Sequence, residues 1–280
     1  MYSPILRNRQ SEVLAIRHLS KSVRPSMMPV LDVAAPTKSA DKAAGLKYVE
    51  RNLERTEKYV TGFPAVFVDS SELDPAFRLS HGVHPLEGAA AAVVGAGCRP
   101  IPVTGLHRDA AHRAANLSIA NNHAQGNLCV RLDATDVSTA TLTFKRIRDL
   151  LEADSVESSA VYLLFDLQCL FGKDKGSVAK EVLRLLKLVG TKAWAGIVVG
   201  GYAIPDQLST AVSTKEQAYL RRIEQDVFRE AAAYEMDTPR WFADYTVLPP
   251  SVVELDWRLI HRMMVNTPAS TGLDAIRRLG

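Results

Sequence analysis

Five aspartates in this sequence lie at or just after the ends of short apolar runs. They are Asp32, Asp69, Asp133, Asp166 and Asp244. If the runs are strands of one parallel sheet, their carboxyl ends share an edge, and the carboxylates converge there. Carboxylates crowded into a partly dehydrated site cannot all stay ionised without a positive partner or shared protons. The sequence therefore predicts a site that contains a bound cation, a basic side chain or shared protons.

A divalent cation such as Mg²⁺ or Mn²⁺ is one such partner, because hard cations prefer oxygen ligands. Asp69, Asp166 and Asp244 are the predicted metal ligands, and the ion would polarise a phosphoryl or carbonyl oxygen. Asp133 joins them as a predicted catalytic residue that binds the metal or activates water. The alternative for each aspartate is that it caps the following helix or pairs with an arginine.

Other polar residues lie at the same predicted edge. Arg7 and Arg131 could supply part of the positive charge and bind an anionic group, and Tyr245 is a further candidate substrate-binding residue. His107 follows the fourth apolar run and is a candidate catalytic residue, as a general acid or base. A histidine at such a position more often simply begins a helix, so both interpretations stay open.

Two adjacent glycines end the seventh apolar run. In barrel proteins the loops after the seventh and eighth strands often bind phosphate, and Gly200 and Gly201 would let the backbone approach it closely. A simple turn before Pro205 is the other interpretation. The sequence contains no nucleophile elbow, no P-loop and no lysine at a core strand end that would indicate Schiff-base chemistry.

The apolar runs alternate with longer segments of helical periodicity, and this alternation predicts the elements that position the site. Eight candidate strands are Tyr2–Leu6, Met28–Val33, Ala65–Asp69, Arg99–Thr104, Leu128–Leu132, Ala160–Leu167, Ala195–Gly200 and Trp241–Val247. They lack clean polar alternation, which is typical of parallel strands covered by helices. Apolar residues three and four positions apart predict helices within Ser39–Val60, Phe144–Leu151, Val178–Val189 and Leu220–Ala231.

The number and spacing of the strands favour one fold. The strands and their connections occupy about 245 residues, close to the roughly 250 of a typical (β/α)8 barrel. We therefore predict an α/β protein with a TIM-like barrel in one domain, residues 1–265, closed by a helix over Leu255–Val265 and followed by a polar tail, residues 266–280. An open doubly wound α/β sheet is the alternative, although no glycine fingerprint follows the first strand.

The composition excludes several classes of protein. With 47% hydrophobic and 23% charged residues the chain is globular rather than disordered. A formal net charge of +3 does not indicate binding to nucleic acid or to a membrane surface. Three scattered cysteines, no signal-peptide pattern and no membrane-spanning run predict a cytoplasmic location.

Short motifs follow one another at the predicted strand ends. They are Tyr2-x-Pro4-Ile5-Leu6-Arg7-x-Arg9-Gln10-x-Glu12, Pro29–Asp32, Ile101–Leu106, Arg131–Asp133, Phe165–Leu167, the turn from Gly201 to Pro205, Arg221–Glu224 and Asp244–Thr246. In this order the motifs resemble the phage beta-protein family, which occurs in bacteriophages, prophages and other mobile regions of bacterial genomes. Each motif is short, and their order gives the resemblance its specificity.

The resemblance implies a barrel-like fold and a part in phage–host conflict, as one component of a toxin, immunity or anti-phage defence module. It implies a protein partner encoded by a neighbouring gene, and no established reaction. A non-enzymatic binding or regulatory protein is therefore one hypothesis. A metal-dependent hydrolase that acts on a phosphate-containing substrate through the aspartate ring is the other. Fewer residues follow the last strand than in the family, so an incomplete barrel remains an alternative to a closed one.

Overall fold

Eight parallel strands form a closed barrel in the computed structural model, which describes residues 1–36, 41–205, 217–245, 263–266 and 273–278. The strands in chain order are β1 (Tyr2–Arg7), β2 (Val30–Asp32), β3 (Val66–Asp69), β4 (Pro100–Gly105), β5 (Leu128–Leu132), β6 (Val161–Cys169), β7 (Gly196–Tyr202), β8 (Gln217–Arg221), β9 (Arg240–Asp244), β10 (Met263–Asn266) and β11 (Leu273–Arg278). The barrel consists of β1 to β7 and β9.

The barrel closes where β9 pairs on one side with β7 and on the other with β1. In the second pairing Tyr2 lies opposite Phe242 and Pro4 lies opposite Asp244, both in parallel register. This closure confirms the predicted (β/α)8 barrel. The open doubly wound sheet is excluded, because that fold would leave its outer strands without a partner on one side.

Helices connect the strands and cover the outside of the barrel. They are α1 (Gln10–Arg17), α2 (Lys42–Tyr59), α3 (Pro85–Gly95), α4 (Ala110–His123), α5 (Ala134–Ser138), α6 (Ala140–Asp154), α7 (Lys175–Val189) and α8 (Ile223–Ala233). Aspartates accept backbone N–H bonds at the start of four of them, as N-caps do: Asp41, Asp109, Asp133 and Asp174. None of the helices in the described ranges is both long and apolar enough to cross a bilayer.

Alternate residues of each strand point into the barrel, and this determines which polar groups reach its mouth. On β3, Phe67 belongs to the interior apolar cluster, while Val66 and Val68 pack against the helices. The same alternation places polar residues at interior positions near the carboxyl ends of β2, β3, β5 and β6. These residues are Asp32, Asp69, Arg131 and Asp166.

A three-stranded antiparallel sheet, in the order β10-β11-β8, lies outside the barrel. The sequence predicted helix at Leu220 and over Leu255–Val265, whereas Leu220 is in β8 and Met263 begins β10. Residues 255–262 lie outside the described ranges. The helical prediction was wrong where strands are seen, because short apolar segments fit both periodicities. The division into a barrel domain and a tail stays a prediction.

Candidate functional site

A cavity of about 330 Å³ opens at the carboxyl ends of the barrel strands. This is the face on which barrel proteins place their sites, because the strand-to-helix loops meet there. Two guanidinium groups, those of Arg108 and Arg131, line the cavity together with His107 and Tyr245. Within the described ranges, five carboxylates also line it, from Asp32, Glu72, Asp133, Asp136 and Asp166.

Arg131 lies at the centre of the site, and its side chain is 12% exposed. Its Nη1 donates to Asp32 Oδ1 at 2.7 Å and to Asp69 Oδ2 at 3.0 Å. Its Nη2 donates to Asp32 Oδ2 at 3.3 Å and to the Tyr245 hydroxyl oxygen at 2.9 Å. Its Nε donates to Asp166 Oδ2 at 3.0 Å. A guanidinium group has five N–H donors, so every donor of Arg131 is used within the protein.

The charges of this cluster shift one another's pKa. Burial raises the pKa of Asp32 to about 6, against the attraction of Arg131. Burial acts on Asp69 in the same direction, but Arg108 and Arg131 outweigh it, so the pKa of Asp69 is lowered. The pKa of Arg131 is raised although burial opposes its charge, because the surrounding carboxylates stabilise the cation. Arg131 therefore stays charged and neutralises part of the carboxylate ring.

Tyr245 and the backbone near the end of β6 orient Asp166. The Tyr245 hydroxyl donates to Asp166 Oδ2 at 2.5 Å, and the backbone N–H of Gln168 donates to Oδ1 at 3.1 Å. Burial raises the pKa of Tyr245 well above its ordinary value, so its hydroxyl keeps its proton. Gln168 has a φ of 53°, a left-handed conformation that non-glycine residues rarely adopt outside turns and functional sites. Asp166 is thus held in one orientation at the cavity.

Asp133, Asp136 and His107 form a second wall of the cavity. Asp133 Oδ1 accepts from the backbone N–H groups of Thr135 and Asp136 at 2.8 and 2.9 Å, so it caps α5. Asp136 Oδ2 accepts from the backbone N–H of Asp133 at 3.3 Å, which completes a capping box. The His107 Nε2 lies 3.7 Å from Asp136 Oδ1. Burial and the nearby Asp133 raise the pKa of Asp136.

The structure brings together most of the predicted site residues. Arg131, Asp133, Asp166, His107 and Tyr245 line the cavity. Asp69 lies beneath it and is completely buried between the guanidinium groups of Arg108 and Arg131. The predicted convergence of carboxylates is therefore seen for the interior positions. Asp133 both caps α5 and faces the cavity, so its two interpretations are compatible.

Asp244 and Arg7 do not line the cavity. Asp244 Oδ1 accepts from the Tyr2 hydroxyl at 2.5 Å, and its Oδ2 accepts from Arg222 Nη2 at 2.6 Å. Arg7 Nε donates to Glu72 Oε1 at 2.7 Å, so Arg7 reaches the site through a carboxylate that lines it. Asp244 lies at an outward position of β9, between two residues whose side chains belong to the interior cluster.

Gly200 and Gly201 lie within β7, which continues to Tyr202, and not in a loop that could surround a phosphate. A Cβ atom at Gly200 would lie 2.5 Å from the Cβ and the backbone oxygen of Ala243 on β9. Neither glycine lines the cavity. The absence of a side chain at Gly200 is explained by the close approach of two strands.

The predicted metal ligands do not form one ligand set. Within the described ranges, no three His, Cys, Asp or Glu side chains are placed to hold a metal ion. Asp69 and Asp166 direct carboxylate oxygens at Arg131, and Asp244 bonds to Arg222 on the outer side of the barrel wall. The residues therefore do not fit Mg²⁺ or Mn²⁺. Arg131 supplies positive charge that the sequence alone could equally assign to a metal ion.

Three charged residues of the site were not predicted from the sequence: Glu72, Arg108 and Asp136. Asp136 could have been found, because an acidic residue three positions after a capping aspartate is typical of a capping box. Glu72 and Arg108 lie in loops, where no periodicity indicates which way a side chain points. Their partners, Arg7 and Asp69, are distant in the sequence.

The fold and the cavity define this chain as a (β/α)8-barrel protein with a highly charged site at the carboxyl ends of its strands. The model described as Beta protein matches residues 2–269, so the chain belongs to the Beta protein family, which confirms the resemblance drawn from the motifs. No curated protein matches the chain.

Proposed function

We propose that this Beta-family chain is a cytoplasmic binding component of a phage–host conflict module, and that the cavity at the barrel mouth is its working site. Family membership supports the setting. The observation that supports the site is Arg131, whose five donors are all bonded to residues around the mouth. Such a cluster gives a preorganised cavity, which is a property of ligand-binding sites.

The cluster of residues hydrogen-bonded to Arg131 favours ligand binding over metal-dependent hydrolysis as the function of the site. A hydrolytic metal needs several carboxylate oxygens directed at one open point. Here Asp69 and Asp166 direct oxygens at Arg131 instead. The metal-dependent hydrolase of a phosphate-containing substrate stays a prediction, and no contact at the site favours it.

The partner of the module is a further part of the proposal. We propose that the barrel acts together with a protein encoded by a neighbouring gene, which is what the family resemblance implies. A ligand bound at the mouth would then change how the loops around it engage that protein. The proposal requires that ligand binding in the cavity and the arrangement of the surrounding loops affect one another.

Phage challenge of cells that carry the complete module tests the proposed site. Asp133→Asn is the informative variant, because asparagine also caps helices well and the change removes one charge from the cavity. Asp174→Asn is the matched control, since Asp174 caps α7 through the Ser177 backbone N–H at 2.8 Å and does not line the cavity. We expect Asp133→Asn to alter plaque formation at unchanged protein level and Asp174→Asn to behave as wild type. Equal behaviour of both variants and the wild type would contradict the proposal.

A further inference from the structure

Among the described residues, the cavity has more negative than positive charge available to a ligand. In this part of the chain, five carboxylates and two guanidinium groups line it. All five donors of Arg131 are bonded to the protein. Arg108 directs Nη2 at Asp69, at 3.2 Å from Oδ2 and 3.4 Å from Oδ1. Arg131 thus has no donor left for a ligand, and Arg108 already faces a carboxylate, although its Nε has no hydrogen-bond partner among the described residues.

We propose that this cavity binds a small polyamine-like cation, with the carboxylates of Glu72, Asp133 and Asp136 accepting from its ammonium groups. The inference rests on the proposed function in one respect, because both take the cavity as the working site. It names the chemical class of the ligand, which the proposed function leaves open.

Three carboxylate oxygens at the cavity have no hydrogen-bond donor among the described residues. Glu72 Oε1 accepts from Arg7, whereas Glu72 Oε2 is buried without a partner. Asp133 caps α5 through Oδ1, which leaves its Oδ2 available. Asp136 Oδ1 has His107 Nε2 at 3.7 Å, beyond hydrogen-bond distance. An ammonium group has three N–H donors and no acceptor, so it is the group that such oxygens bind best.

Burial strengthens the preference for a cation. The Asp136 side chain is 7% exposed, and that of Glu72 is 19% exposed. Charges in such partly dehydrated positions interact more strongly than they do in water. A phosphate group at this place would meet ionised carboxylates and would find no free donor on Arg131. The charge distribution is therefore unfavourable for the phosphate-containing substrate of the hydrolase hypothesis.

The size of the cavity suits a small molecule. A volume of about 330 Å³ lies at the lower end of the range of small-molecule sites, about 300 to 1,000 Å³. The lining is mostly polar, with Leu106 as an apolar contributor. A flexible, hydrophilic cation with several ammonium groups fits both properties.

The test measures binding of spermidine to the full chain by calorimetry and by thermal stability, with inorganic phosphate and AMP as anionic comparators. Spermidine should raise the unfolding midpoint, because a ligand that binds only the folded state stabilises it. We expect Asp133→Asn and Glu72→Gln each to weaken spermidine binding about tenfold, since a charged hydrogen bond is lost. The control Asp174→Asn should bind like wild type. Folding of each variant is checked first by circular dichroism.

Several outcomes would overturn the inference. They are no spermidine binding by the folded wild-type chain, equal weakening by Asp174→Asn and Asp133→Asn, and binding of phosphate or AMP to the wild-type chain that is tighter than binding of spermidine. Binding of a lysine-rich peptide without binding of spermidine would also overturn it. Failure of spermidine binding combined with altered phage growth in Asp133→Asn would leave the proposed function standing. Spermidine binding combined with unaltered phage growth in Asp133→Asn would contradict the proposed function and support a polyamine-like ligand.

Discussion

Glu12 is a buried acid near the site whose two oxygens differ in their environments. Its Oε2 accepts from the backbone N–H of Arg7 at 2.7 Å, while its Oε1 is buried without a hydrogen-bond partner among the described residues. Burial raises the pKa of Glu12 to about 7, more than the nearby Arg7 and Arg9 lower it. The folded protein therefore retains a proton at Glu12 at pH values where the unfolded chain has lost it.

Replacement of Glu12 by glutamine should flatten the dependence of stability on pH. The ordinary pKa of this acid is 4.5 and its folded value is about 7, so its favourable contribution is present below pH 4.5 and is lost as the pH rises through 7. Glutamine cannot ionise, so above pH 7 we expect Glu12→Gln to exceed the wild type by about 2 kcal/mol in free energy of unfolding. Urea unfolding between pH 5 and 8.5 measures this.

The matched control is Glu181→Gln, the same change at an exposed position of α7. Its unfolding free energy should follow the wild-type curve at every pH. If Glu12→Gln runs parallel to the wild type across the same range, Glu12 does not titrate as described and the prediction is wrong.

The position of Asp244 at the strand end could be predicted from the sequence, but the direction of its side chain could not. Convergence of aspartates could be predicted, because parallel strands end at one edge. The face of β9 on which Asp244 lies could not be predicted, because Phe242 and Ala243 are both apolar and both faces of a barrel strand are covered. Ala243 and Tyr245 belong to the interior cluster, so Asp244 lies on the outer side. Asp166 is two residues after the interior Leu164 and so reaches the mouth.

The strands β7 and β9 approach each other closely at Gly200. A methyl group there would lie 2.5 Å from the Cβ of Ala243, well inside van der Waals contact. We expect Gly200→Ala to lower the free energy of unfolding by about 1–3 kcal/mol, because the two strands must separate to admit the methyl group. Urea denaturation monitored by circular dichroism measures the change.

Gly176→Ala is the control for this prediction. Gly176 lies in the first turn of α7, and the nearest atom to a Cβ there is Asp174 Oδ2 at 3.4 Å. Alanine is favoured over glycine in helices, so a small gain or no change is expected. A Gly200→Ala variant as stable as Gly176→Ala would show that the strands tolerate a side chain.

The strands of the barrel could be predicted from the sequence, whereas those of the three-stranded sheet outside it could not. The barrel strands could be predicted because each is an apolar run that must be buried on both faces. β8 was missed, because Leu220 lies three residues before Ile223 and extends the helical spacing of α8 backwards. Its strand form depends on pairing with β11, a contact between residues 52 to 60 positions apart along the chain. Local periodicity carries no information about such a pairing.

Closure of the barrel removes the edges that an open sheet would have. β1 and β9 come from opposite ends of the barrel sequence and pair with each other. We expect the amides of β1 and β9 to exchange with solvent as slowly as those of β5 and β6, because all are released in one cooperative unfolding step. Native-state hydrogen exchange followed by mass spectrometry or NMR measures these rates.

Faster exchange in β1 and β9 than in β5 and β6 would contradict this expectation and indicate that the barrel opens at the seam. Amides in the exposed first turn of α1 serve as the internal reference for rapid exchange, since the first N–H groups of a helix have no bonds within it. The comparison needs no variant and tests closure directly.

Arg131 connects residues of β2, β3 and β6 with the residue that follows β9. Loss of one aspartate would leave buried donors unpaired, and loss of the arginine would leave three buried carboxylates without their common partner. Each single substitution in this cluster therefore gives a less stable protein. In the descent of this family, Asp32, Asp69, Asp166 and Arg131 are therefore expected to be inherited as a set, and a lineage that replaces one of them should have replaced the others too.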